Sequence, residues 1–147
     1  MVKNYYMTGK DFTSFLEDVG GLENGYFTDR PRIKEAGFFA IGPGWYGLVK
    51  ELIEGAIAAG WDRQICQVKE KFGGLRFYHG GVQAEEERDS HMAMGAIQQA
   101  EEMSFHVCEE CGASAELRQS GWFRTLCDEC WTEEQARRRE RSPRDLE

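Results

Sequence analysis

Two pairs of cysteines are the strongest chemical signal in the chain. Cys108 and Cys111 are separated by two residues, as are Cys127 and Cys130, and fifteen residues lie between the pairs. Two intervening residues allow a tight turn that points both thiolates inward, and two such turns supply the four ligands of a tetrahedral ion. The spacing therefore predicts a zinc site with four cysteine ligands.

The cysteine pairs also indicate what the metal does. With sulfur in all four positions no site is left for water, so we expect a structural zinc ion rather than a catalytic one. A redox dithiol pair or an iron–sulfur cluster is the alternative. Residues 116–118 and 122–126 flank Ser120-Gly121, which predicts a β-hairpin between the pairs and thus a zinc ribbon.

A second hairpin is predicted in the middle of the chain. Apolar and polar residues alternate over residues 65–72, and a second extended run follows at 75–79. Gly73-Gly74 separates the two runs, and we expect it to form a two-residue turn. In that register Lys71 lies directly opposite Arg76.

The two faces of this predicted hairpin differ in character. One face, with Val68, Phe72 and Leu75, is expected to pack on the core, together with Cys66, Phe77 and the anomalous Glu70. A salt bridge to an arginine such as Arg63 is the simplest partner for Glu70.

The other face is cationic and is a candidate binding site. It carries Lys69, Lys71, Arg76 and Tyr78. Like charges placed opposite each other cost stability unless an anion or a carboxylate lies between them. A phosphate-bearing ligand could fill that role. The alternative is neutralisation by Glu51, Glu54 or the acidic loop at residues 85–87.

Helices are predicted around the hairpin. Apolar residues recur at helical spacing after Thr8, along residues 45–57 and along 93–103. We therefore predict an α+β fold, with a β-hairpin or small antiparallel sheet packed by helices and a C-terminal zinc ribbon. The expected division is an α+β body at residues 1–105, the ribbon at 106–131 and a short charged C-terminal helix or tail at 132–147.

The C-terminal segment is rich in arginine. Thr132-Glu133-Glu134-Gln135 matches a capping box, and Glu133, Glu134 and Glu140 each precede an arginine by four residues. That order favours ion pairs along a solvated helix. An arm that binds nucleic acid is the alternative interpretation.

Composition narrows the classes of function. The chain has 147 residues, 41% of them hydrophobic, and a formal charge of −8. This size excludes two large domains, and the acidic balance disfavours general coating of nucleic acid. No apolar run approaches the roughly 20 residues of a membrane span, so we expect an intracellular, soluble protein. Phosphate loops and the common hydrolase motifs are absent, so we do not expect an enzyme.

One stretch of sequence resembles a known group of proteins. The run QVKEKFGGLRFY at residues 67–78, preceded by Gly44-Trp45 and followed by Ala100-Glu101-x2-Ser104 and the four cysteines, is similar to small proteins encoded by phages and prophages. Most of those proteins have no assigned function. The resemblance covers roughly residues 42–131. It implies a viral accessory protein of the bacterial cytoplasm, active in host interaction or anti-defence, and it carries over no catalytic residue.

The residues and the resemblance together suggest a non-enzymatic, zinc-containing binding module whose partner is a host protein. Trp122, at the predicted tip of the ribbon hairpin, is the candidate anchor. It could instead plug the space between ribbon and body. A nucleic-acid-binding zinc-ribbon regulator and a nucleotide-sequestering protein that uses the cationic hairpin face are the alternative functions.

Overall fold

The computed structural model describes residues 3–27, 29–80 and 87–141. Within these ranges the chain has four helices and three two-stranded sheets, which confirms the predicted α+β class. The helices are α1 (Gly9–Asp18), α2 (Tyr46–Ala58), α3 (Glu87–Met103) and α4 (Asp128–Arg141). The strands are β1 (Glu23–Asn24), β2 (Gln64–Ile65), β3 (Gln67–Lys71), β4 (Gly74–Tyr78), β5 (Glu116–Arg118) and β6 (Arg124–Leu126).

The first three helices form where their apolar periodicity predicts them. The hydroxyl of Thr8 caps α1 by accepting a hydrogen bond from the Asp11 N–H at 3.1 Å. A 3₁₀ turn, Pro43–Trp45, leads into α2, which packs against α3. Where the two helices meet, a Cβ at Gly55 of α2 would lie 3.7 Å from the Cβ of Ala96 on α3. Small residues allow this close approach of the two helices.

The central hairpin forms, but its turn differs from the prediction. The turn consists of Phe72 and Gly73, not Gly73-Gly74, so Lys69 faces Arg76 and Lys71 faces Gly74. The expected pairing of Lys71 with Arg76 is therefore wrong. Phe72 was expected on the core face, yet 66% of its surface is exposed because it lies in the turn.

Backbone geometry and packing explain the shifted turn. Both Phe72 and Gly73 have positive φ, 54° and 86°, as a type I′ hairpin turn requires. Gly74 lies in β4 rather than in the turn. Glycine is required at this position because a Cβ there would lie 2.4 Å from the ring of Phe105. The side chain of Glu70 accepts a hydrogen bond from the Gly73 N–H at 2.7 Å and supports the turn.

Side chains and a neighbouring segment cover both edges of the hairpin. On β4, the Leu75 N–H donates to the Ser104 hydroxyl and the Phe77 N–H donates to a carboxylate oxygen of Glu101, both at 2.9 Å. On β3, Ala40 forms a parallel bridge with Lys69. These contacts satisfy strand groups that would otherwise be open to another chain.

The last helix starts earlier than the sequence suggests. α4 begins at Asp128 rather than after Thr132, and the Thr132 hydroxyl donates to the Asp128 carbonyl at 2.9 Å within the helix. The capping-box prediction is therefore wrong, because the first turn of α4 includes Cys130 of the second cysteine pair. The rest of the predicted C-terminal segment, residues 142–147, lies outside the described residues.

Candidate metal centre and adjoining surface

The four predicted cysteines lie together. The Sγ atoms of Cys108, Cys111, Cys127 and Cys130 are all within 4.8 Å of one another, and those of Cys111 and Cys127 are 3.6 Å apart. Tetrahedral bonds of about 2.3 Å to one ion would place sulfurs about 3.8 Å apart. The cluster could therefore hold a metal ion.

The thiols of the cluster influence one another's protonation. Burial, together with hydrogen bonds to neighbouring thiols, raises the pKa of Cys111 and of Cys130. Burial also raises the pKa of Cys127, but hydrogen bonds from the Cys130 N–H and the neighbouring thiols outweigh it and lower that pKa. Four thiolates at this spacing repel one another. Either protons or a bound cation must therefore neutralise their negative charge, and a metal ion would displace the protons.

Each cysteine pair lies in a tight turn with its own hydrogen bonds. After the first pair, Gly112 has a φ of 78°, and its N–H donates to the Cys108 carbonyl at 2.9 Å. In the second pair, the Cys130 N–H points to the Cys127 sulfur at 3.4 Å. The second turn continues directly into α4, which fixes the start of that helix.

Glycines before α2 bring the body of the protein against the first cysteine turn. The Gly44 N–H donates to the Glu109 carbonyl at 2.7 Å. A Cβ at Gly44 would lie 2.1 Å from the Cys108 carbonyl oxygen, and one at Gly42 would lie 2.4 Å from that of Glu109. In the sequence these glycines indicate only a turn, because the residues that they contact lie more than sixty positions further along the chain.

The N-terminal segment contacts the same cysteine turn. The Tyr5 N–H donates to the Gly112 carbonyl at 3.0 Å, and the Tyr5 carbonyl accepts from the Gly47 N–H at 2.8 Å. Nearby, the indole N–H of Trp45 donates to the Val107 carbonyl at 2.7 Å in the core. The proposed boundary at residue 105 stays a prediction, and the hydrogen bonds to Gly112 and Val107 cross it.

A partly buried ion-pair network, which the sequence did not lead us to expect, joins the first cysteine turn to α4. Arg124 lies 3.5 Å from Glu109, 3.0 Å from Glu110 and 3.6 Å from Glu134. Burial raises the pKa of Glu109, against the opposing effects of the Gly42 N–H, which donates to it at 3.0 Å, and of Arg124. Only the three-dimensional fold brings these charges together, so the spacing of these residues in the sequence does not predict the network.

The arginines of α4 are partly neutralised within the helix. Glu134 lies 3.3 Å from Arg137 and 3.4 Å from Arg138. The predicted pair of Glu134 with Arg138 is thus present, and Arg137 pairs with Glu134 instead of Glu133. The predicted pair of Glu140 with Arg144 lies outside the described residues.

One buried hydrogen bond places the two hairpins side by side. The Thr125 hydroxyl, on β6, donates to the Gly73 carbonyl in the β3–β4 turn at 2.6 Å, and Thr125 is fully buried. A Cβ at Gly73 would lie 2.4 Å from a methyl group of Leu117 on β5. The turn of the central hairpin therefore packs on the ribbon hairpin.

This packing creates an exposed aromatic surface. Phe72, Trp122 and Phe123 are 66%, 69% and 36% exposed. Together with Glu70, Lys71 and Gly121 they line a cavity of about 480 Å³. We call Lys71, Phe72, Trp122 and Phe123 the hairpin-tip surface. The exposure of Trp122 excludes the interpretation of this residue as a plug between ribbon and body.

The predicted cationic residues lie on the outer face of the hairpin. The Lys69 ammonium is 5.8 Å from the centre of the Tyr78 ring, and that of Lys71 is 5.6 Å from the centre of the Phe72 ring. Among the residues that the structure describes, none forms an ion pair with Lys69, Lys71 or Arg76.

The carboxylates expected to neutralise this face are engaged elsewhere. Glu51 pairs with Lys3, and Glu54 pairs with Lys50. The acidic loop lies outside the described residues, apart from the backbone of Glu87. The predicted partner of Glu70 is also wrong, because Arg63 donates to the carbonyl groups of Val19 and Gly21.

The chain matches no protein-family model, no curated protein and no solved structure. Across the three described ranges, every helix falls short of the length or the apolar character that a membrane span requires.

Proposed function

We propose that this chain is a non-enzymatic, zinc-containing binding module, encoded by a phage, that binds and modulates a host protein in the bacterial cytoplasm. The hairpin-tip surface is the observation that carries this proposal. Contact of tryptophan and phenylalanine side chains with water is unfavourable in a free monomer. Clusters of aromatic residues are typical of the centres of protein interfaces.

Zinc is the metal that best suits the cysteine cluster. Four clustered cysteine sulfurs, supplied by two C-x2-C turns with a hairpin between them, are typical of structural zinc. In this role the ion fixes the ribbon and leaves no open coordination position for catalysis. A redox dithiol or an iron–sulfur cluster predicts a different metal content, which elemental analysis of the purified protein distinguishes.

The modulation of a host protein follows from the resemblance to phage-encoded proteins. A small viral chain that alters a bacterial process without catalysis must do so by binding. A hydrophobic surface held by a structural metal fits that requirement, since a fixed surface loses little conformational entropy when a partner docks.

An affinity pull-down from a bacterial lysate tests this proposal, with the zinc-loaded chain as bait. We expect a host protein to be retained by the wild type and lost with Trp122→Ala. Tyr26→Ala is the matched control, because Tyr26 is 68% exposed and lies at the opposite end of the β3–β4 hairpin. Recovery of nucleic acid alone would favour the nucleic-acid-binding regulator instead.

A nucleotide-sequestering protein is the second candidate function. It is favoured by the cations Lys69, Lys71 and Arg76, which have no ion-pair partner among the described residues, and by Tyr78, which could stack on a base. Calorimetry with mono-, di- and cyclic nucleotides tests it. Binding heat that disappears in Arg76→Ala would support this function, and no heat with any of them would reject it.

A further inference from the structure

We infer that the hairpin-tip surface and the adjoining lysines form one docking site for an acidic protein segment that carries a large apolar side chain. The apolar side chain would enter the cavity beside Phe72, Trp122 and Phe123. Carboxylates next to it in the segment would pair with Lys71 and Lys69. This inference rests on the proposed function and gives the chemistry of the partner.

The apolar and cationic parts of the site are continuous. Lys71 itself lines the 480 Å³ cavity together with Trp122. On the other side of Trp122, a groove of about 430 Å³ is lined by Lys69 and by residues 39–41. Trp122 therefore lines two neighbouring depressions, each of which has a lysine at its wall together with Glu70, and the groove also has the ion-paired Glu109 and Arg124.

Charge complementarity selects an acidic partner. Lys69 lies directly opposite Arg76, and like charges at that position destabilise the hairpin unless an anion approaches. The chain as a whole carries a formal charge of −8. An acidic segment is thus repelled by most of the molecule and attracted where the lysines lie, which favours one orientation of docking.

The carboxylates near Trp122 favour a peptide over a nucleic acid. Glu70 and Glu109 line the same groove as Lys69, and both are held by backbone N–H groups of the chain. A nucleic acid brings a charge with every phosphate and would meet these carboxylates. A peptide can place its acidic side chains opposite the lysines only.

Selection from a random-peptide display library on the zinc-loaded chain tests the inference, followed by fluorescence polarisation with the selected peptides. We expect acidic residues on either side of an aromatic residue or leucine. The dissociation constant should rise at least about tenfold in Trp122→Ala and in the double variant Lys69→Ala/Lys71→Ala. Tyr26→Ala and Lys10→Ala, at exposed positions away from the site, should leave it unchanged.

Several results would overturn the inference, and they separate it from the proposed function. Selected peptides that are neutral or basic, and that need Trp122 but not the lysines, would reject an acidic partner while leaving a protein-binding surface in place. Selection of no peptide that depends on Trp122, with a failed pull-down, would reject both.

Other occupants of this site predict different experimental results. Tighter binding of a mixed-sequence single-stranded oligonucleotide than of any selected peptide, lost in the double lysine variant, would assign the site to nucleic acid. Dimerisation in sedimentation experiments that Trp122→Ala abolishes would assign it to a second copy of the chain. Either result would overturn the acidic-segment proposal.

Discussion

The hydroxyl of Thr125 links the ribbon to the central hairpin, beside the packing of Leu117 against Gly73. It donates to the Gly73 carbonyl in a buried position. Removing one partner of a buried hydrogen bond leaves the other unsatisfied, which costs more than the bond itself contributes. We therefore expect the Thr125 hydroxyl to help fix the relative placement of Phe72 and Trp122.

Thr125→Val keeps the shape of the side chain and removes the donor. We expect the free energy of unfolding to fall by about 1–3 kcal/mol, measured by urea denaturation of the metal-loaded protein. Thr132→Val is the matched control, because Thr132 is exposed on α4 and its change should be smaller. An unchanged urea midpoint in Thr125→Val would contradict the assigned role of the hydroxyl.

The cysteines provide a second prediction at the scale of residues. Cys127→Ser should abolish stoichiometric metal binding, since it removes one of four thiolate ligands. Cys66→Ser should retain the metal, because Cys66 lies outside the cluster. Elemental analysis of both purified variants measures this, and a Cys127→Ser protein with the wild-type metal content would show that the cluster is not the binding site.

At the scale of elements, the close packing of Gly42-Pro43-Gly44 on the first cysteine turn joins α2 to the cysteine cluster. Gly44→Ala would bring a Cβ into a backbone carbonyl, and overpacking of this kind costs roughly 1–3 kcal/mol. Thermal unfolding should show a lower midpoint.

Gly95→Ala is the matched control for that substitution. Gly95 is exposed within α3 and has nothing within 4 Å of an added Cβ. Alanine should stabilise the helix there by about 0.5–1 kcal/mol. Equal midpoints for the two alanine variants would reject the close approach of Gly44 to the cysteine turn.

The hairpins show which elements can be predicted from sequence. Alternation assigns the faces of β3 and β4 correctly for Val68 and Leu75, because the true and predicted registers differ by an even number of residues. It does not predict the turn, since Gly74 is required by Phe105, a contact thirty-one residues away. Local patterns therefore determine faces and helices, whereas distant contacts set the register.

The same distinction applies to the candidate sites. The cysteine cluster is predictable because its ligands lie in two short motifs of fixed spacing. The hairpin-tip surface is not, because it depends on the contact between Thr125 and Gly73, which are fifty-two residues apart. The start of α4 cannot be predicted from the local sequence for a related reason, since the helix begins within the second cysteine turn.

At the scale of the whole molecule, the cysteine cluster lies where distant parts of the chain meet. The N-terminal segment, the turn before α2 and the ion pairs that lead to α4 all contact the first cysteine turn or the residues beside it. The ribbon hairpin between the cysteine pairs holds the turn of the central hairpin. Loss of the metal should therefore disturb the binding surface as well as the ribbon.

Zinc content measured together with the fold tests this account most directly. The purified protein should contain one zinc ion per chain, and removal of the ion by a chelator should unfold the ribbon, with loss of structure in circular dichroism, because metal binding and folding are coupled. Readdition of zinc should restore the spectrum. A protein that contains less than about half an equivalent of zinc, and whose spectrum a chelator does not change, would contradict the claim that a metal holds the two hairpins in place.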